Sequence, residues 1–140
     1  MATRTFIDAG VLITAFQGRG PDALKALAVL DDPDREFVAS SLLKLELLPQ
    51  PTFHRRSAEL EFFGAFFDAV HQWQTVNEAL VTLALREASR LTLDAVDALH
   101  VATAQSQAVA EFITTEKFGK PIHKVTAFKV IALSALPPPG

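Results

Sequence analysis

The sequence predicts an α/β domain built around a mostly parallel sheet, and three observations predict it. Short apolar runs, Thr5-Phe6-Ile7, Phe37-Val38-Ala39 and Glu111-Phe112-Ile113-Thr114, are nearly continuous rather than alternating, as in strands covered on both faces. Longer segments between them carry apolar residues at helical spacing. No internal repeat, low-complexity block or linker divides the 140 residues. Residues 1–134 therefore read as one domain, and residues 135–140 as a proline-rich flexible tail.

Element by element, Thr5-Phe6-Ile7 is the first strand, and Asp8-Ala9-Gly10 ends it with turn chemistry. Val11 to Phe16 is apolar and stops at Gly18-Arg19-Gly20-Pro21. Pro21 suits the first turn of a helix striped by Leu24, Leu27, Ala28 and Leu30, which Asp31 to Asp34 ends. After the strand Phe37-Val38-Ala39, Ser40 or Ser41 can cap a helix over Leu42 to Leu48, which stops before Pro49 and Pro51. Arg56 to Val70 is a longer helix with Leu60, Phe63, Phe66 and Phe67 on its apolar side and Phe62 widening it. Gln74-Thr75-Val76 reads as a brief strand, and Asn77 caps a helix over Glu78 to Arg90. Leu91-Thr92-Leu93 links to a helix over Asp94 to Gln107. The strand Glu111 to Thr114 follows, and β-branched residues place a further strand within Val125 to Leu133.

Composition narrows the chemistry. Hydrophobic residues make up 49% and charged residues 21%, a globular balance. With no cysteine, disulfides, thiolate metal sites and cysteine nucleophiles are excluded. Met1 to Phe6 is too short and polar for the apolar region of a signal peptide, and no stretch offers the roughly 20 apolar residues of a membrane span. The expectation is a cytoplasmic domain with no membrane contact. The net charge is −3 but unevenly spread: four lysines and no acid follow Glu116, so the preceding segment sets nine basic residues against sixteen acids. A basic end of +4 beside an acidic body of −7 can meet a polyanion locally.

Several familiar motifs are missing. Gly18 and Gly20 are followed by Pro21 rather than by the Lys-Ser or Lys-Thr of a phosphate loop, and there is no Gly-x-Ser-x-Gly elbow. An Asp-x-Asp phosphatase signature is ruled out by Ala9 and Gly10 after Asp8, and the adjacent acids of a phosphoryl-accepting receiver are lacking. His54, His71, His100 and His123 show no metal-ligand spacing and are given no role.

Acids stand where apolar residues are expected. Asp8 and Glu116 lie where strands run out, Glu46 interrupts Leu42-Leu43-Lys44-Leu45-Glu46-Leu47-Leu48, and Asp97 stands within a largely apolar helix. Each has a structural explanation on its own: a turn, a solvated helix position, or an ion pair between Glu116 and Lys117 or Lys120. Together they are harder to dismiss, because a parallel sheet can gather acids at the carboxyl edge of its strands. Clustered carboxylates repel unless protonated or neutralised, and a hard divalent cation such as Mg²⁺ relieves this while retaining waters for hydrolysis of a phosphodiester.

The residues that carry these acids also carry a family resemblance. Phe6-Ile7-Asp8-Ala9-Gly10-Val11-Leu12-Ile13, Ser40-Ser41 followed by Leu45-Glu46-Leu47, Asp97-Ala98-Leu99-His100-Val101-Ala102-Thr103-Ala104, and Phe112-Ile113-Thr114-Thr115-Glu116-Lys117 together resemble the PIN-domain nucleases. The likeness runs from Phe6 to about Val130 and points to the VapC-type ribonuclease toxins of bacterial toxin–antitoxin pairs. It implies a three-layer α/β/α fold and a Mg²⁺- or Mn²⁺-dependent endoribonuclease with Asp8, Glu46, Asp97 and Glu116 as catalytic and metal-ligating acids. Glu116 stands where the family more often has Asp. Asp94 is expected as an outer support or helix cap, and Thr114 as a hydroxyl orienting a ligand or phosphate. Further implications are an RNA substrate, a homodimer, and a small antitoxin covering the active-site groove, for which the Phe62, Phe63, Phe66 and Phe67 cluster is either a contact or simply core. The alternative is a PIN-like module that has lost catalysis and serves in binding or scaffolding.

Overall fold

The computed structural model describes residues 2–139. Its elements run β1 (Thr3–Ile7), α1 (Ala9–Gln17), α2 (Gly20–Asp31), β2 (Arg35–Ser40), α3 (Ser41–Leu47), α4 (Pro49–Phe53), α5 (Ser57–Ala69), β3 (Gln72–Gln74), α6 (Glu78–Leu91), α7 (Ala95–Ser106), β4 (Glu111–Thr114) and β5 (Lys129–Ala132). The strands form one five-stranded sheet in the order β3-β2-β1-β4-β5. Every neighbouring pair is parallel. The expected α/β class therefore holds, and the sheet is parallel throughout.

Alternation along each strand divides the core into two layers. Ile7, Phe37, Ala39 and Ile113 face a cluster filled by α1, α2, α3 and α5. Phe6, Val38 and Phe112 face a second cluster filled by α6 and α7. Both faces are thus covered, which is why these strands read as unbroken apolar runs. Phe63, Phe66 and Phe67 are buried in the first cluster and Phe62 packs against it, so these aromatics are core. Burying each such side chain contributes about 1.5–3 kcal/mol.

Local chemistry sets the boundaries. Asp8 does not end a turn but N-caps α1 directly, and Gly18 closes that helix at φ 65°. Ser40 caps α3, Asn77 caps α6 and Asp94 caps α7. The brief strand lies at Gln72–Gln74, two residues earlier than Gln74-Thr75-Val76, because His71 N–H already bonds the Phe37 carbonyl and starts the pairing with β2. Pro49 does not end the helical path; it opens α4, where the missing N–H is no loss. The last strand is shorter than Val125 to Leu133, with a 3₁₀ turn at Pro121–Lys124 before it. Leu133–Ala135 form another 3₁₀ turn and Leu136 packs on the first cluster, while Pro137–Pro139 carry no regular structure; the tail's final Gly140 lies outside the described residues.

The amino end of the sheet is tied by polar contacts. The buried Thr5 hydroxyl donates to Glu111 Oε1 at 2.8 Å, and Arg35 Nε donates to the same oxygen at 2.7 Å. That bond pair locks β1, β2 and β4 in register and leaves the carboxyl end free for other work. Among the described residues, no helix is long and apolar enough to cross a membrane.

Candidate metal centre

In a parallel sheet the crossover helices run against the strands, so a helix that leads into a strand begins at the carboxyl edge. The order β2-β1-β4 also makes β1 and β4 the point where the chain departs in opposite directions, the usual place for a crevice. The acids singled out in the sequence are carried by elements that start or end there.

Asp8 follows the last residue of β1. One carboxylate oxygen accepts from Val11 N–H at 3.2 Å, and the other accepts from the Thr114 hydroxyl at 2.5 Å. Thr114, the buried last residue of β4, also accepts from Glu116 N–H at 3.0 Å. A single hydroxyl thus couples the ends of the two central strands and sets the main chain at Glu116. Gly10 makes this approach possible: a Cβ there would overlap the Thr115 side chain. Burial pushes the Asp8 carboxyl above its ordinary value, the Thr114 and Val11 hydrogen bonds oppose that rise, and the charge of Glu46 adds to it.

Asp97 lies in the first turn of α7, with its N–H bonded to Asp94 Oδ1 at 2.9 Å. It is therefore at a helix start rather than in the middle of a buried helix. Asp94 is exposed and acts as the helix cap. The Asp97 carboxyl is pushed up to about 6, first by burial and then by the negative charges of Asp94, Glu116 and Asp8. Asp94, Asp97 and Glu116 line one cavity of about 240 Å³ together with Lys120. Among the described residues Glu116 forms no ion pair, so neither Lys117 nor Lys120 neutralises it.

Glu46, near the end of α3, is partly exposed and meets His100 on α7: His100 Nε2 lies 2.5 Å from Glu46 Oε1. His100 is 1% exposed and packs on Phe6 with ring centroids 5.1 Å apart. Sequence spacing assigned the four histidines no role; the fold gives one of them, His100, a carboxylate partner. The available signal was spacing, since Asp97 and His100 at i and i+3 share one helix face.

The structure therefore brings Asp8, Glu46, Asp97 and Glu116 into one electrostatic neighbourhood. It does not aim them at a common point: among the described residues, no three His, Asp or Glu side chains stand ready to hold a metal ion. Asp8 is engaged by Val11 and Thr114, and Glu46 by His100. The donor set is nonetheless of the kind a hard divalent cation takes, namely carboxylate oxygens: burial first, and neighbouring acids after it, raise both Asp8 and Asp97.

A family model described as PIN domain matches residues 5–117. Among solved structures, the chain is similar to VapBC2 from Rickettsia felis, crystallised with a DNA fragment from their promoter. The TM-score is 0.70 at 10% sequence identity, over 93% of this chain and 98% of that one. It is also similar to a toxin–antitoxin complex from Klebsiella pneumoniae, with a TM-score of 0.67 at 20% identity, over 92% of this chain and 97% of that one. At these identities the likeness is one of fold. No curated protein matches the sequence significantly.

Proposed function

Since the chain belongs to the PIN-domain family, we propose that it is a Mg²⁺- or Mn²⁺-dependent endoribonuclease acting as the toxin of a type II toxin–antitoxin pair. One observation carries this reading: Asp94, Asp97 and Glu116 line one cavity with a single lysine, and burial followed by the charges of its acidic neighbours holds Asp97 up to about 6.

Asp8 and Asp97, joined by Glu46 and Glu116, would hold the cation. When bound, it supplies charge neutralisation at the phosphodiester and a more acidic water as nucleophile. Thr114 donates its hydroxyl to Asp8 and accepts from the Glu116 main chain, so one side chain links the acids that follow β1 and β4. Lys120, on the wall of the cavity that holds Asp97 and Glu116, is placed to meet a phosphate of the RNA backbone. The other lysines beyond Glu116 would raise the local concentration of a polyanion. The fold shared with toxin–antitoxin complexes supports a small antitoxin as partner, with a homodimer as the proposed working form and the cytoplasm as the proposed compartment.

The test is cleavage of structured RNAs by the purified chain with Mg²⁺ and with chelator. We expect cleavage with metal, none with chelator, and loss in Asp97→Asn while the fold is kept. Equal cleavage in both conditions would contradict the metal mechanism. No cleavage of any RNA or single-stranded DNA would favour a PIN-like binding module instead.

A further inference from the structure

His100 is the buried polar group that the proposed chemistry does not use. An imidazole in an apolar layer is costly, and only a hydrogen bond offsets that cost. Its neighbours along α7 are the buried Ala98, Val101, Ala102 and Ala104. Its Nδ1 has no hydrogen-bond partner, so among the described residues the contact to Glu46 is its sole polar interaction. A carboxylate opposite Nε2 requires a donor there, which places a ring proton on Nε2. Glu46, by contrast, has 31% of its side-chain surface exposed, and a free glutamate at such a position samples many rotamers. A buried donor thus holds one oxygen of a partly exposed acid, and among the described residues the other, Oε2, has no hydrogen-bond partner.

We propose that His100 is a positioning residue for Glu46: its Nε2–H pins Oε1 and so presents Oε2 to the divalent cation. This rests on the metal-dependent reading above. Supporting hydrogen bonds of this kind typically change metal affinity by about 10- to 100-fold when removed. A purely structural histidine would affect folding but not the response of Glu46 to metal.

The experiment compares His100→Gln, which keeps a side-chain N–H donor at similar reach, with His100→Met, which is of similar length and has none. Mn²⁺ affinity is measured by calorimetry on chelator-treated protein, in wild-type and Glu46→Gln backgrounds, with thermal unfolding as the folding control. Expected results are about 10-fold or greater weakening in His100→Met, near wild-type affinity in His100→Gln, and no further effect of His100→Met once Glu46 is Gln. Equal affinities for the Gln and Met variants, or a loss that persists undiminished in Glu46→Gln, would overturn the positioning role alone. Failure of the wild-type chain to bind Mn²⁺ would overturn the metal reading and this role with it. Should His100→Met not fold, long-range proton–nitrogen correlation on the wild-type imidazole decides: a proton on Nε2 is expected, and its absence there would overturn the assignment.

Discussion

At Asp97, function and stability pull in opposite directions. Its carboxyl stands at about 6 in the folded chain against an ordinary 3.8, so the charged form is the one the fold disfavours. The gap corresponds to about 3 kcal/mol if fully expressed. Solvent screening at this half-buried group reduces it to about 1–2 kcal/mol. The sign follows from linkage: a raised carboxyl destabilises the fold above its folded value and relieves it as pH falls toward the unfolded one. Chelator-treated protein is therefore expected to gain stability as pH drops from 8 to 5, with Asp8 acting in the same direction. Asp97→Asn should unfold at higher temperature than the wild type at pH 7.5 without metal, lose most of that pH dependence, and lose on the order of 100-fold or more in cleavage rate. Thermal melts across pH, paired with the RNA assay, check it. Asp8 and Asp97 were legible in the sequence as acids in apolar surroundings. His100 was not, because a lone histidine becomes informative only when the fold brings Glu46 to it.

At the scale of elements, the packing of α6 on α7 contains a polar tie. Glu87, with 8% of its side-chain surface exposed, accepts from Gln105 at 2.9 Å and from Arg90 at 2.7 Å. Burial pushes its carboxyl up, but those hydrogen bonds and the charges of Arg90 and Arg86 outweigh this and leave it below 4.5. Because the folded value is depressed, the stabilisation is present above 4.5 and is lost as pH falls through the lower folded value. Glu87→Ala is expected to lower stability by about 1–2 kcal/mol at pH 7 and by less once pH falls below the depressed folded value, read from urea midpoints. Helices with clear caps, such as α6 after Asn77 and α3 after Ser40, could be read from sequence because the cap is local. The position of β3 and the helical character of α4 could not. Gln72–Gln74 is a strand because β2 lies beside it, and Pro49 reads equally as a stop or a first turn.

At the scale of the whole molecule, the parallel sheet carries four acids distant in sequence on elements that start or end at its carboxyl edge. Asp8 leaves β1, Glu116 follows β4, Glu46 rides the helix after β2, and Asp97 opens the helix before β4. The fold class was legible because strands covered on both faces leave continuous apolar runs, and the placing of these elements' ends at one sheet edge follows from parallel topology. Which oxygens are held by neighbouring donors was not legible, since the bonds from Thr114 to Asp8 and from His100 to Glu46 join residues far apart in the chain. The central claim is that these carboxylates share a divalent cation. Anomalous diffraction from crystals soaked in Mn²⁺ measures this most directly. The account predicts a peak bonded to the Asp8 and Asp97 carboxylates; no peak at saturating Mn²⁺, or one remote from all four acids, would contradict it.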